Sequence, residues 1–272
     1  GINAEYGQNK MNDDETTLNN ILTKANLTHN ELDELKEGQL VNGCLILRKM
    51  YYYEGAFKGR KDAKYIIAQK LLRCSDKMFQ SCGALELVFV PACKEIGKLG
   101  FENCTSLTGI HVPKCREVED SAFFGCSSLT KATIPATTIG ASVFAHCTSL
   151  EWLRIPQADL VGASCFSRCA KLRVIESKLK AQDLASWCKQ DYCRQKKLCP
   201  SCSGCMEVCL ERGKYWKFLD KLKVEVGKRQ LVLEAVGEKS TYQKLVVKQI
   251  CEFEGQFGKF CDWLQAGELG FE

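Results

Sequence analysis

Five times between residues 74 and 177 the chain repeats the phrase Phe-x-x-Cys-x-x-Leu-x-x-Ile/Val-x-Ile/Val-Pro, and nothing else in it constrains the fold as tightly. The copies open at Phe79, Phe101, Phe123, Phe144 and Phe166, with spacings of 22, 22, 21 and 22 residues. A fixed period of this size means one small unit stacked on copies of itself, because a single unit cannot bury its own apolar face. The chain is therefore a solenoid, at least through its centre. Such a fold presents a long surface for holding something and builds no pocket for chemistry.

Each copy has the same physical logic. Leu85, Val88 and Val90 and their equivalents alternate at the end of the phrase, as a short strand with one buried face requires. The proline that follows (Pro91, Pro113, Pro135, Pro156) removes a ladder donor and ends the strand. Another apolar anchor (Ile96, Val118, Ile139, Val161) precedes each later Phe by five residues, and the small or polar residues between suit a tight helical turn. Phe, Cys and Leu point into a shared core. The strand residues between the core positions face outward: Leu87 and Phe89, Gly109 and His111, Lys131 and Thr133, Trp152 and Arg154, Val174 and Glu176.

This pattern resembles the BspA-like leucine-rich repeats, which read roughly Ile-Gly-x-x-Ala-Phe-x-x-Cys-x-x-Leu-x-x-Ile-x-Ile-Pro. Ile139, Gly140, Phe144, Cys147, Leu150, Leu153, Ile155 and Pro156 match it in one copy. The likeness fails at the two ends, where Cys74 replaces the first anchor and Ser177 and Lys178 replace the last Ile-Pro; end repeats are atypical because they cap the stack. The implied fold is α/β, a leucine-rich-repeat solenoid with a short parallel strand and a helical turn per unit of about 22 residues, flanked by α+β segments. The resemblance further implies a curved solenoid used for protein binding or adhesion, without catalytic residues. It points to the cell surface or secretion, with a cytoplasmic chain the alternative. On the concave sheet, His111, Lys131, Thr133, Trp152, Arg154, Val174 and Glu176 are the candidate partner-binding residues, since an aromatic among cations anchors protein interfaces. Leu87 and Phe89 are expected beneath the N-terminal flank, because the first apolar edge of a solenoid needs a cap.

The flanks divide by composition. Residues 1–12 are polar and read as a disordered tail. Residues 13–73 read as a helical and strand cap for the solenoid. In that cap Asp13–Leu40 has a helical pattern broken near Asn26, and Thr28 with Glu31 forms a capping box whose helix Gly38 can close. The run Tyr51, Tyr52, Tyr53 reads as strand with alternating faces. After the repeats, residues 178–215 are cysteine-rich and basic, and 216–272 read as a β-hairpin turning at Gly227-Lys228 followed by a C-terminal helix.

Two groups stand out among the 18 cysteines of the chain. Cys82, Cys104, Cys126, Cys147 and Cys169 occupy one equivalent site in every copy and read as reduced core thiols, since cysteine is a good small apolar filler. Six others crowd into residues 188–209, where Cys193, Cys199, Cys202, Cys205 and Cys209, with Cys188, have overlapping Cys-x-x-Cys spacing. That spacing suits a structural zinc or, in an oxidising compartment, disulfides. An iron–sulfur cluster is the least expected, because Leu210 stands where the usual proline would be. No other cofactor is expected.

The sequence announces no other chemistry. There is no phosphate-binding loop, no dinucleotide fingerprint and no paired-histidine metal motif, and His146 beside Cys147 lacks an orienting third group. No enzyme activity is expected. A net charge of +5 is too weak to nominate nucleic acid as partner, and no apolar run is long enough to span a bilayer. The first residue is Gly, which reads as a processed or shortened chain, so a missing leader says nothing about export. A protein-binding solenoid is thus the leading expectation. A structural subunit of a larger assembly comes next, and a metal-binding regulator or redox protein centred on residues 188–209 last.

Overall fold

The structure, a computed structural model, describes residues 2–179, with residues 2–12 as backbone only. All of them belong to one compact unit. Two helices come first, α1 (Ile2–Lys24) and α2 (His29–Glu34), and then thirteen short strands. The front of the solenoid is formed by β2 (Cys44–Ile46), β3 (Tyr65–Ile67), β5 (Leu87–Phe89), β7 (Gly109–His111), β9 (Lys131–Thr133), β11 (Trp152–Ile155) and β13 (Val174–Ser177). The back is formed by β4 (Arg73–Cys74), β6 (Glu95–Ile96), β8 (Glu117–Val118), β10 (Thr138–Ile139) and β12 (Leu160–Val161). A first strand, β1 (Leu40–Val41), pairs antiparallel with β2 and covers the front sheet's leading edge. Every other pairing is parallel, as stacked repeats demand. The back sheet runs unbroken from β4 to β12, whereas the front ladder is interrupted between β7 and β9.

The third side of each turn holds the Phe. Six rings, from Phe57 to Phe166, stack with centroids 5.2 to 6.0 Å apart. The residues two before and two after each Phe are left-handed, for example Ser142 (φ 56°) and His146 (φ 62°) around Phe144. This alternation breaks any helix, so the return expected as a helical turn is a hydrogen-bonded turn instead. It also aims alternate N–H groups along the solenoid axis: those of Lys77, Phe79 and Ser81 donate to the next turn's Lys98, Gly100 and Glu102 carbonyls at 2.7–2.8 Å. The repeat cysteines complete this side. Each thiol donates to the preceding Phe carbonyl, Cys104 to Phe79 at 3.1 Å and Cys126 to Phe101 at 3.2 Å among them.

The solenoid starts one turn earlier than the repeat phrase does. Phe57 lies 22 residues before Phe79, is flanked by left-handed Gly55 and Gly59, and accepts the Cys82 thiol at 3.1 Å. Its unit carries Arg60 where Cys belongs, Ala63 for Leu and Gln69 for Pro. Those losses hid it from motif reading.

Residues 2–12 lie within the span of α1. Two further expectations are corrected. The capping box at Thr28 and Glu31 is formed, but α2 ends at Glu34, and extended Leu35, not Gly38, is its C-cap. The Arg48 guanidinium takes the freed carbonyls of Leu32 and Leu35. Tyr51–Tyr53 are not a strand. They stand one turn before β4, where Tyr52 fills the inward anchor slot against Phe57 and leaves Tyr51 and Tyr53 exposed at an edge with no earlier turn to pair with.

Candidate partner-binding surface

The outward positions of the front sheet fall into two halves. On β2, β3 and β5 they are Cys44 and Ile46, Tyr65 and Ile67, Leu87 and Phe89, all apolar. α1 lies across them, its Leu18, Ile21 and Leu22 forming a buried cluster with these residues, joined by Ala25 just after the helix and Leu32 of α2. Leu87 and Phe89 thus sit under the N-terminal flank. The helix continues as far as β7, where His111 stacks on Phe89 with ring centroids 5.2 Å apart. His111 Nε2 lies 2.5 Å from Asp14 Oδ1, and its Nδ1 is 3.4 Å from the Thr17 hydroxyl. His111 is therefore in contact with the chain's own helix.

The second half is polar and open. Lys131, Thr133 and Arg154 are exposed, and Trp152 is half-buried between them. The parallel register sets Trp152 beside Lys131 and Arg154 beside Thr133. The Lys131 ammonium stands 5.8 Å from the Trp152 ring centroid. The indole N–H donates to Glu176 Oε1 at 2.7 Å, and Glu176 Oε2 pairs with Arg154 Nε at 3.4 Å. Glu176 is only 6% exposed and Val174 only 8%. Glu176 thus lies beneath the open surface, holding Trp152 and Arg154 in one arrangement.

Little else among the described residues offers chemistry. All ten described cysteines are free and buried. Burial pushes the Cys147 and Cys165 thiols up to about 12. A thiol held protonated is neither a nucleophile nor a metal ligand. Cys147 donates to the Phe123 carbonyl at 3.2 Å, while the neighbouring His146 ring lies 4.8 Å from that of Phe124. Burial, and then the Arg168 charge, hold that imidazole below its ordinary value. The two residues face different ways, so no Cys–His pair exists there. On the back sheet, Arg73 Nη2 lies 3.1 Å from Glu95 and 2.8 Å from Glu119, a cluster that closes on itself. No group of three or more ligating side chains able to hold a metal occurs among the described residues. The cluster Cys193, Cys199, Cys202, Cys205 and Cys209 lies outside the described residues, as do the expected hairpin and C-terminal helix. Among the described residues no helix is long and apolar enough to cross a membrane.

Stacked parallel turns of this length, with an inward Leu, Ile and Phe from each, define a leucine-rich-repeat solenoid. Residues 72–192 match the BspA type leucine rich repeat region in six copies. Leucine-rich-repeat proteins typically mediate protein interaction or adhesion. Three solved structures are similar. A leucine rich repeat protein of T. pallidum is 25% identical over 50% of this chain and 66% of its own, with a TM-score of 0.41. One from Bacteroides ovatus is 24% identical over 47% of this chain and 38% of its own, with a TM-score of 0.42. A leucine rich cell surface protein from Faecalibacterium prausnitzii is 20% identical over 51% and 43%, with a TM-score of 0.39. The chain thus spans less than two thirds of each. No curated protein matches it significantly.

Proposed function

We propose that this chain is a non-enzymatic binding solenoid that holds a protein partner on the open half of its front sheet. One observation carries this reading. The outward positions of β9 and β11 form an exposed aromatic–cationic surface fixed by a buried carboxylate, while the same positions of β2, β3 and β5 are apolar and covered. Trp and Arg are the residues on which interface energy concentrates, and an arrangement already ordered loses less entropy on binding. The test is affinity capture from the native source with the wild-type chain and with Trp152→Ala. A partner retained by the first and lost from the second is expected; a partner held equally by both overturns the reading.

A second reading has its own support. Met50, Tyr51 and Tyr53 are 54%, 61% and 75% exposed at the leading edge of the solenoid, an apolar cluster of the kind a subunit of a larger assembly buries. Loss of a native high-molecular-weight complex on Tyr51→Ser and Tyr53→Ser, with capture through Trp152 unchanged, would move the assignment to that edge.

A further inference from the structure

The chain carries its own example of what its front sheet accepts. Just past the end of α1, the Ala25 carbonyl takes a 2.9 Å hydrogen bond from Asn42, immediately before β2, while Asp14 of α1 meets β7. From Asp14 to Lys24 the helix rises about 15 Å, and the three strand spacings from β2 to β7 cover about 14 Å. The helix therefore runs along the solenoid axis, across the strands. Its apolar side chains lie on the apolar outward pairs, and its carboxylate meets the first basic outward residue, His111. Residues 2–12 continue α1 toward β9, yet Lys131, Thr133 and Arg154 stay exposed, so that end of the face remains open.

Resting on the binding reading above, we propose that the partner presents an amphipathic α-helix with acidic edges, laid along the axis over Trp152. Width supports a helix. β9 and β11 have three and four residues, a face about 10–13 Å across, which is the diameter of one α-helix with its side chains. Each strand offers two outward side chains, and the two columns place Lys131 in one and Arg154 in the other. Trp152 shares the column of Lys131, so a helix laid between the two columns, with its apolar stripe against the indole, meets a cation on each side. Carboxylates three or four residues apart along its edges would reach both. An extended peptide gains less. The backbone groups of β11 are committed to β9 and β13, so a strand laid on this face finds no main-chain partners.

The test selects binders to the full chain from two display libraries, one of 18-residue helices with randomised exposed faces and one of unconstrained peptides. Binders are then measured against the double variant Lys131→Glu/Arg154→Glu, the milder Lys131→Gln/Arg154→Gln, and a control, Lys94→Glu, at an exposed site off the front sheet. The expected result is enriched helices with Asp or Glu flanking an apolar stripe. They should weaken on the order of tenfold or more with the Glu pair, less with the Gln pair, and not with the control. Helices enriched without acidic bias, or indifferent to both pairs, overturn the inference. Front-face binders found only among unconstrained peptides overturn it as well, but leave the binding reading standing. No binder from either library that responds to these residues or to Trp152→Ala overturns both.

Discussion

The covered and open halves of the front sheet are built from the same repeat, meet at a break in the ladder between β7 and β9, and differ most in what points outward. Inside, β3 and β11 are alike: Ile66 and Leu153 occupy the same slot and both are fully buried. Outside, Tyr65 and Ile67 take a helix from the chain itself, while Trp152 and Arg154 are open. Stacking and recognition are thus written on alternate residues of one strand, because side chains change faces at every step. A repeat can keep its core residues and present either a packing face or a binding face.

Several substitutions would break or sharpen this comparison. The largest effect belongs to the shared core. Phe123→Ala, in the middle of the ring stack, should cost about 3–5 kcal/mol by denaturant unfolding. A loss below about half a kcal/mol, the size of a surface change, would mean that the halves do not share that core. Ile21→Ala, beneath α1, should cost about 2–5 kcal/mol and raise protease sensitivity of the covered half first, with capture through Trp152 unaffected. Loss of capture in that variant would mean the halves are not independent. Next comes Gly140→Ala. A Cβ there would sit 2.6 Å from Asp120 Oδ1 and 2.7 Å from its backbone nitrogen, so about 1–3 kcal/mol should be lost.

Alkali offers a graded test of the cysteine ladder. The folded chain holds its buried thiols protonated up to about 12 at Cys147 and Cys165, whereas unfolded thiols ionise near 8.5. The folded state then binds more protons, so stability is fully present below the unfolded value and falls as pH rises toward the folded one. Each such thiol should contribute about 1.4 kcal/mol of loss per pH unit in that window. Comparing unfolding midpoints at pH 8 and pH 10, in the wild type and in Cys147→Ala, should show a smaller drop in the variant; equal drops would argue against burial of that thiol. Smallest of all is Lys131→Ala. An exposed cation–π contact contributes about 0.5–1 kcal/mol, so this variant should unfold almost as the wild type does while binding its partner less well.

What could be seen in the sequence was whatever repeated without error. The period, the inward Phe, Cys and Leu, and the capping box at Thr28 all rest on local spacing that motif reading detects. The first turn was not visible, because Arg60, Ala63 and Gln69 erase the phrase, although Gly55 and Gly59 beside Phe57 mark its two left-handed positions. Nor was the fate of His111, since its partner Asp14 is 97 residues away and nothing in the repeat announces it. Alternation put Trp152, Arg154, Val174 and Glu176 on the outward face. It says which way a side chain points but not what lies over it, so the low exposure of Val174 and Glu176 could not be read from it. The tyrosines failed for another reason: a strand at the end of a stack lacks a neighbour to pair with.

The most direct test puts a photo-crosslinking amino acid in place of Thr133 on the open half of the front sheet, and separately in place of exposed Leu160 on the back sheet, in the native source. The account predicts that Thr133 captures a partner and Leu160 does not. Equal capture at both positions, or capture only at Leu160, would contradict it.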